Sequence, residues 1–247
     1  MFGWFAAQCP VSADAKAWLE RRMQWLAGQF GARRMREATV ILPTPEHFPD
    51  PYDRTPDDVR VLLNRVSGYL GIDPARLELA FYSEEDRPAL VDEQGCPVPG
   101  SAGLCEPGAD RVTIWIEVSL VDDPLALIAT MAHELCHVLL LGAHRIDPEA
   151  EDLEQVTDLA TVFFGLGVFT ANATIREMHW REGRWSGWSI RGQGYLTQPL
   201  YGYALALFAW VRGEDNPAWA HHLRPDVRSP FRKGLRYLQE TGDSAFR

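Results

Sequence analysis

Five consecutive residues, His133-Glu134-Leu135-Cys136-His137, carry the pattern H-E-x-x-H. The residues around them are strongly helix-compatible, and on a helix positions four apart share a face, one turn above each other. His133 and His137 can therefore direct two imidazoles at one metal ion. Glu134 is rotated by one position, from where its carboxylate can reach a water on that metal. Two neutral nitrogen ligands beside a base are what zinc-dependent hydrolysis needs.

The segment that must position these groups, 124–141, is apolar nearly all round, with Leu125, Leu127, Ile128, Met131, Leu135, Val138, Leu139 and Leu140. A helix of that composition is buried. Two histidines and a glutamate inside it are costly without partners. One zinc ion with its water satisfies all three together, and this cost is the physical argument for a metal. Asp122-Asp123-Pro124 starts the helix and Gly142 closes it.

A catalytic zinc usually takes three protein ligands and leaves one position open. His144 sits one place late for the metzincin arrangement, whose Gly and third His positions are here Leu140 and Ala143. The next segment, from Asp147-Pro148-Glu149 to Phe164, reads as a helix and offers a better source. Glu154 and Asp158 fall four apart on one of its faces. Leu153, Val156, Leu159, Ala160, Phe163 and Phe164 make the rest apolar, so these carboxylates again need a partner. Thr161 and Gly165 continue the stripe with small residues. Glu151 is the rival third ligand, although the residue four places after it is Gln155 and not an acid.

H-E-x-x-H on one helix followed by E-x-x-x-D on the next resembles the gluzincin metallopeptidases. The specific match covers about residues 124–165. The resemblance implies His133, His137 and Glu154 as zinc ligands. It implies Asp158 as the acceptor that fixes the tautomer and orientation of a ligand histidine, His133 foremost. It also implies peptide-bond hydrolysis on a peptide or protein substrate, with Glu134 taking the water's proton and passing it to the leaving amine. The interval from His137 to Glu154 is short for the clan. It is closer to compact forms such as the CaaX-prenyl-endopeptidase type, whose membrane helices have no counterpart in this sequence. The remaining residues resemble bacterial proteins that share the motif pair and bring no known activity. Two rival readings keep the zinc site: a hydrolase of a non-peptide amide or ester, and a zincin-like binding or regulatory protein without turnover.

The rest of the sequence predicts a single domain over 1–247, with an α/β part over about 1–120 and a helical part over about 121–247. The fold class is α+β: a mainly helical zincin-like domain with a small β-sheet and a buried two-helix metal site. A chain of 247 residues can bury a sizeable core. Its net charge of −10 argues against a general nucleic-acid surface, which needs a basic face. None of the four cysteines forms a C-x-x-C pair, so a structural zinc knuckle is not expected. Cys96 and Cys105 flank a Gly/Pro-rich loop and can in principle bridge, but all four read as reduced thiols. Residues 1–10 do not have the make-up of a signal peptide, and no stretch reaches the roughly 20 apolar residues of a membrane span. The expectation is a soluble cytoplasmic protein without a membrane span.

Helices are expected over 13–30 after a Ser12 cap, over 56–70 after a Thr55 cap, over 200–211 and over 226–239. Strands are expected at 39–42, 77–82 and 111–118, the last with the cleanest alternation. The stretch 84–110 is loop-rich and can hold a hairpin. The aromatic, Arg-rich stretch 179–197 reads as a pinned loop or as a cleft wall whose Arg meets a substrate carboxylate. Tyr195, Tyr201, Tyr203, His179, His221 and His222 qualify by type as oxyanion partners.

Overall fold

A computed structural model describes residues 7–83, 103–107, 111–173 and 196–246. In chain order the elements are α1 (Ala13–Phe30), α2 (Ala32–Arg36), α3 (Pro56–Leu70), β1 (Leu77–Tyr82), β2 (Gly103–Pro107), β3 (Val112–Glu117), α4 (Pro124–Leu141) and α5 (Leu153–Phe163). They are followed by α6 (167–173 in its described part), α7 (Gln198–Val211) and α8 (Pro225–Thr241). Among the described residues the fold is mainly helical α+β with one small sheet. Its contacts gather into two compact units, Pro43–Ile146 and the pair of segments Met1–Leu42 and Asp147–Arg247.

In the unit Pro43–Ile146, strand order is β1-β3-β2, with β1 parallel and β2 antiparallel to β3. Alternation along β3 sends Ile114 and Ile116 into the core, both fully buried. Helix α4 packs on α3 and on this sheet. The start of α3 is a capping box: Thr55 accepts from the Asp58 N–H, and the Asp58 carboxylate accepts from the Thr55 N–H. Gly71 ends the helix in the left-handed conformation.

The other unit is all helical among its described residues. Helix α7 is buried from Tyr201 to Ala209 and lies along α8. The two come close at Gly202, where a Cβ would stand 2.7 Å from the Pro230 ring. Helix α8 turns Val227, Phe231, Leu235 and Leu238 inward and leaves Arg232, Lys233 and Arg236 exposed. Glu20 of α1 is a buried carboxylate with every contact supplied: Tyr203 Oη donates to Oε1 at 2.8 Å, the Ala245 N–H to Oε2 at 2.9 Å, and Lys16 pairs with it at 3.2 Å.

Two expectations are corrected. Residues 39–42 form no strand. The Ile41 N–H donates to the Gly165 carbonyl at 2.9 Å, so this extended piece is held by a helix–helix connection and not by a ladder. Helix α5 begins at Leu153, not at Asp147. The Asp147 side chain accepts from the Glu149 N–H and its carbonyl from the Ala150 N–H, so Asp-Pro-Glu makes a turn where it could have opened a helix. Among the described residues one helix, α4, is long and apolar enough to cross a membrane, and 67% of it is buried inside the protein. Core helices pass the same test. Cys96 and most of the stretch 179–197 lie outside the described residues, as does the side chain of Cys105.

Candidate metal centre

The motif helix is fixed at both ends. Asp123 caps α4, its side chain accepting from the Ala126 N–H at 3.3 Å, and Pro124 takes the first position. At the other end all four terminal carbonyls find donors. Val138 accepts from the Gly142 N–H, Leu139 from the Arg145 guanidinium, Leu140 from the Arg145 N–H and Leu141 from the His144 N–H. Satisfying these groups lets a helix of this polarity end cleanly against the core. His144 adopts a positive φ of 49° in the closing turn and is exposed.

Inside α4 the three polar groups of the motif are withdrawn from water: His133 is 6%, Glu134 4% and His137 8% exposed. The Nε2 atoms of His133 and His137 stand 3.1 Å apart, with the rings inclined at 78°. Both imidazoles thus present the same nitrogen to the same point. Two nitrogens bound at about 2.0–2.1 Å to a tetrahedral centre would stand about 3.3 Å apart. The pair has the bite of a metal chelate, so the residues present fit the ion that the motif implies.

Helix α5 carries Glu154 in its first turn and Asp158 one turn on. A carboxylate in the first turn is favoured by the helix dipole. Glu154 is half-buried, whereas Asp158 is 2% exposed. Asp158 Oδ2 accepts from the Leu196 N–H at 2.8 Å. Thr161 Oγ1 donates to the Asp158 carbonyl and meets Thr170 Oγ1, each at 2.7 Å. Glu151 is exposed and precedes the helix.

Among the residues considered for an oxyanion, Tyr203 donates its hydroxyl to Glu20. Burial, with the Glu20 carboxylate beside it, raises the Tyr203 phenol well above its ordinary range. Tyr201 is buried in α7. His221 and His222 lie side by side on the 3₁₀ turn Ala218–His222, ring centroids 3.9 Å apart. Burial followed by the neighbouring His221 lowers the pKa of His222. His179 and Tyr195 fall outside the described residues.

Sequence reasoning missed two attachments of α5. One is Leu196 on Asp158. The other is Asp152, which holds Trp18 and Arg22 of α1. Neither has a local signal, since the partners are separated by 38 residues in the first case and by 130 or more in the second. No family profile matches this chain, and no curated protein and no solved structure does either.

Proposed function

We propose that this protein is a zinc-dependent peptide hydrolase of gluzincin type, with His133, His137 and Glu154 holding one zinc ion. The observation that carries the reading is the convergence of two buried imidazole Nε2 atoms, 3.1 Å apart, on a helix that also buries Glu134. Glu154, in the first turn of α5 and four residues before Asp158, is the third ligand that the E-x-x-x-D spacing supplies. Two imidazoles and one carboxylate suit zinc among the divalent first-row ions, and leave room for a substrate or water.

When bound, zinc supplies a Lewis acid that polarises a carbonyl and lowers the pKa of water. Glu134 acts as the base. Its carboxylate takes a proton from the attacking water and delivers it to the leaving nitrogen. Burial of Glu134 among apolar residues strengthens every electrostatic interaction it makes there. Asp158 orients a ligand histidine through its carboxylate, and its bond to Leu196 fixes the orienting group in turn.

The test is a peptide-library digest with zinc-loaded wild-type protein and the Glu134→Gln variant. The expected result is cleavage by the wild type, and a variant that holds its metal and cleaves at least ~100-fold more slowly. Undiminished cleavage by Glu134→Gln contradicts the assignment of the base. Zinc bound without cleavage of any peptide contradicts peptide hydrolysis and leaves the metal site standing.

A further inference from the structure

We infer that Asp152 is a positioning residue for the third ligand: it clamps the first turn of α5, and with it Glu154, to Trp18 and Arg22 of α1. The inference rests on the metal site proposed above.

Asp152 occupies the N-cap position of α5, with φ −111° and ψ 19°. An aspartate there ordinarily turns its carboxylate back onto the N–H groups of the first turn. This one makes no such bond. Its Oδ2 accepts from Trp18 Nε1–H at 2.7 Å and from Arg22 Nε–H at 2.7 Å, while Oδ1 accepts from Arg22 Nη2–H at 2.5 Å. The Arg22 contact is the two-toothed fork that matches guanidinium to carboxylate and fixes direction as well as distance. Trp18 and Arg22 sit one turn apart on α1, so they grip one carboxylate from one helix face.

The clamp is anchored. Leu19, Met23 and Leu26 of α1 are fully buried, and the Arg22 guanidinium lies 5.7 Å from the centre of the Trp25 ring. The chain leading into α5, residues 142–152, consists of turns and irregular structure. Nothing regular on that side sets where the helix begins. A local cap is forgone and a long-range one is made, which fixes the start of α5 against a rigid neighbour. Glu154 lies two residues beyond Asp152, within the same turn. A carboxylate meant for a metal must be held to a fraction of an ångström, and groups behind a ligand commonly decide its affinity.

Zinc affinity, measured by competition with a chromogenic chelator, tests the inference. The proteins are the wild type, Arg22→Ala, Arg22→Lys, Trp18→Phe, Asp152→Asn and Glu154→Ala. Visible absorption of the cobalt-substituted forms and the melting temperature of each metal-free form are recorded beside it. Arg22→Ala and Asp152→Asn should bind zinc about tenfold or more weakly and shift the cobalt spectrum. Arg22→Lys, which keeps the charge but loses the fork, should bind more weakly than the wild type. Trp18→Phe removes a single donor and keeps a ring, so it reports on the clamp even where Arg22→Ala fails to fold. Wild-type affinity and spectrum in folded clamp variants with lowered melting temperatures would overturn the inference, because the clamp would then serve stability alone. A wild type that binds no zinc would overturn the metal site itself, and this inference with it. A wild type whose zinc is lost in Glu154→Ala, but held unchanged in the clamp variants, overturns only the inference.

Discussion

His133 and His137 bring their Nε2 atoms to 3.1 Å from each other in the buried middle of α4. Without a metal that contact is a single hydrogen bond between two imidazoles, and Glu134 is a buried carboxylate beside it. With a metal, both nitrogens gain a common partner, and Glu134 gains the water that the metal would bind. Zinc should therefore stabilise the folded chain. At a free concentration a thousandfold above Kd, the gain is about 4 kcal/mol. Thermal melts with and without zinc should show the rise in wild type and its loss in His137→Ala. An equal rise in both would mean that zinc acts elsewhere.

Asp158 should matter for stability apart from any metal. Its Oδ2 receives a buried backbone N–H, that of Leu196. Asp158→Ala leaves that donor unpaired, which costs about 1–3 kcal/mol. Asp158→Asn keeps an acceptor oxygen and should lose less. Urea unfolding of the metal-free proteins separates the two, and equal losses would contradict this role for the carboxylate.

The Asp152 clamp predicts a pH dependence of definite sign. Burial pushes the Asp152 carboxyl up, but hydrogen bonds from Arg22 and Trp18 outweigh it and hold the group below the usual carboxylate range. A depressed pKa means the folded state favours the ionised form. The resulting stability is fully present above the unfolded value of about 3.9 and is lost as pH falls through the lower folded value. The stability gap between wild type and Arg22→Ala should therefore be flat from about pH 5 to 7 and narrow below about pH 4. A gap that stays constant down to pH 3 would show that the ionised pair contributes nothing.

Gly165 makes a prediction about the connection between α5 and α6. Its φ is +88°, and a Cβ there would overlap the Thr39 carbonyl oxygen. Its own carbonyl accepts from the Ile41 N–H. Gly165→Ala combines left-handed strain with a backbone clash, and should cost about 3 kcal/mol or more. Chemical unfolding of the variant measures it, and a loss under 1 kcal/mol would contradict the geometry.

The parts of this fold that were legible in the sequence are those that local chemistry decides. Ser12, Thr55-Pro56 and Asp123-Pro124 announced the starts of α1, α3 and α4, and each caps its helix as read. The near-continuous apolar content of α4 announced its burial, and the H-E-x-x-H spacing placed two imidazoles together. Local chemistry also misled where two structures share a signature. Asp147-Pro148-Glu149 suits a turn as well as a helix start, and the chain takes the turn there and opens α5 at Leu153. The β-branched run at 39–42 suits any extended chain, and its partner at Gly165 lies far along the sequence. The attachments of Asp152 and Asp158 were invisible for the same reason. Each is a long-range hydrogen bond to a residue with no motif of its own.

Metal content decides whether His133, His137 and Glu154 hold a zinc ion. Wild-type protein, His133→Ala and Glu154→Ala would be purified after exposure to zinc, checked for folding and weighed for metal by mass spectrometry. About one zinc per chain is expected in the wild type, as for a three-ligand site with one open position, with loss of that zinc in both variants. A folded wild type that takes up no zinc would rule out the metal site, and a Glu154→Ala variant that retains it in full would rule out Glu154 as a ligand.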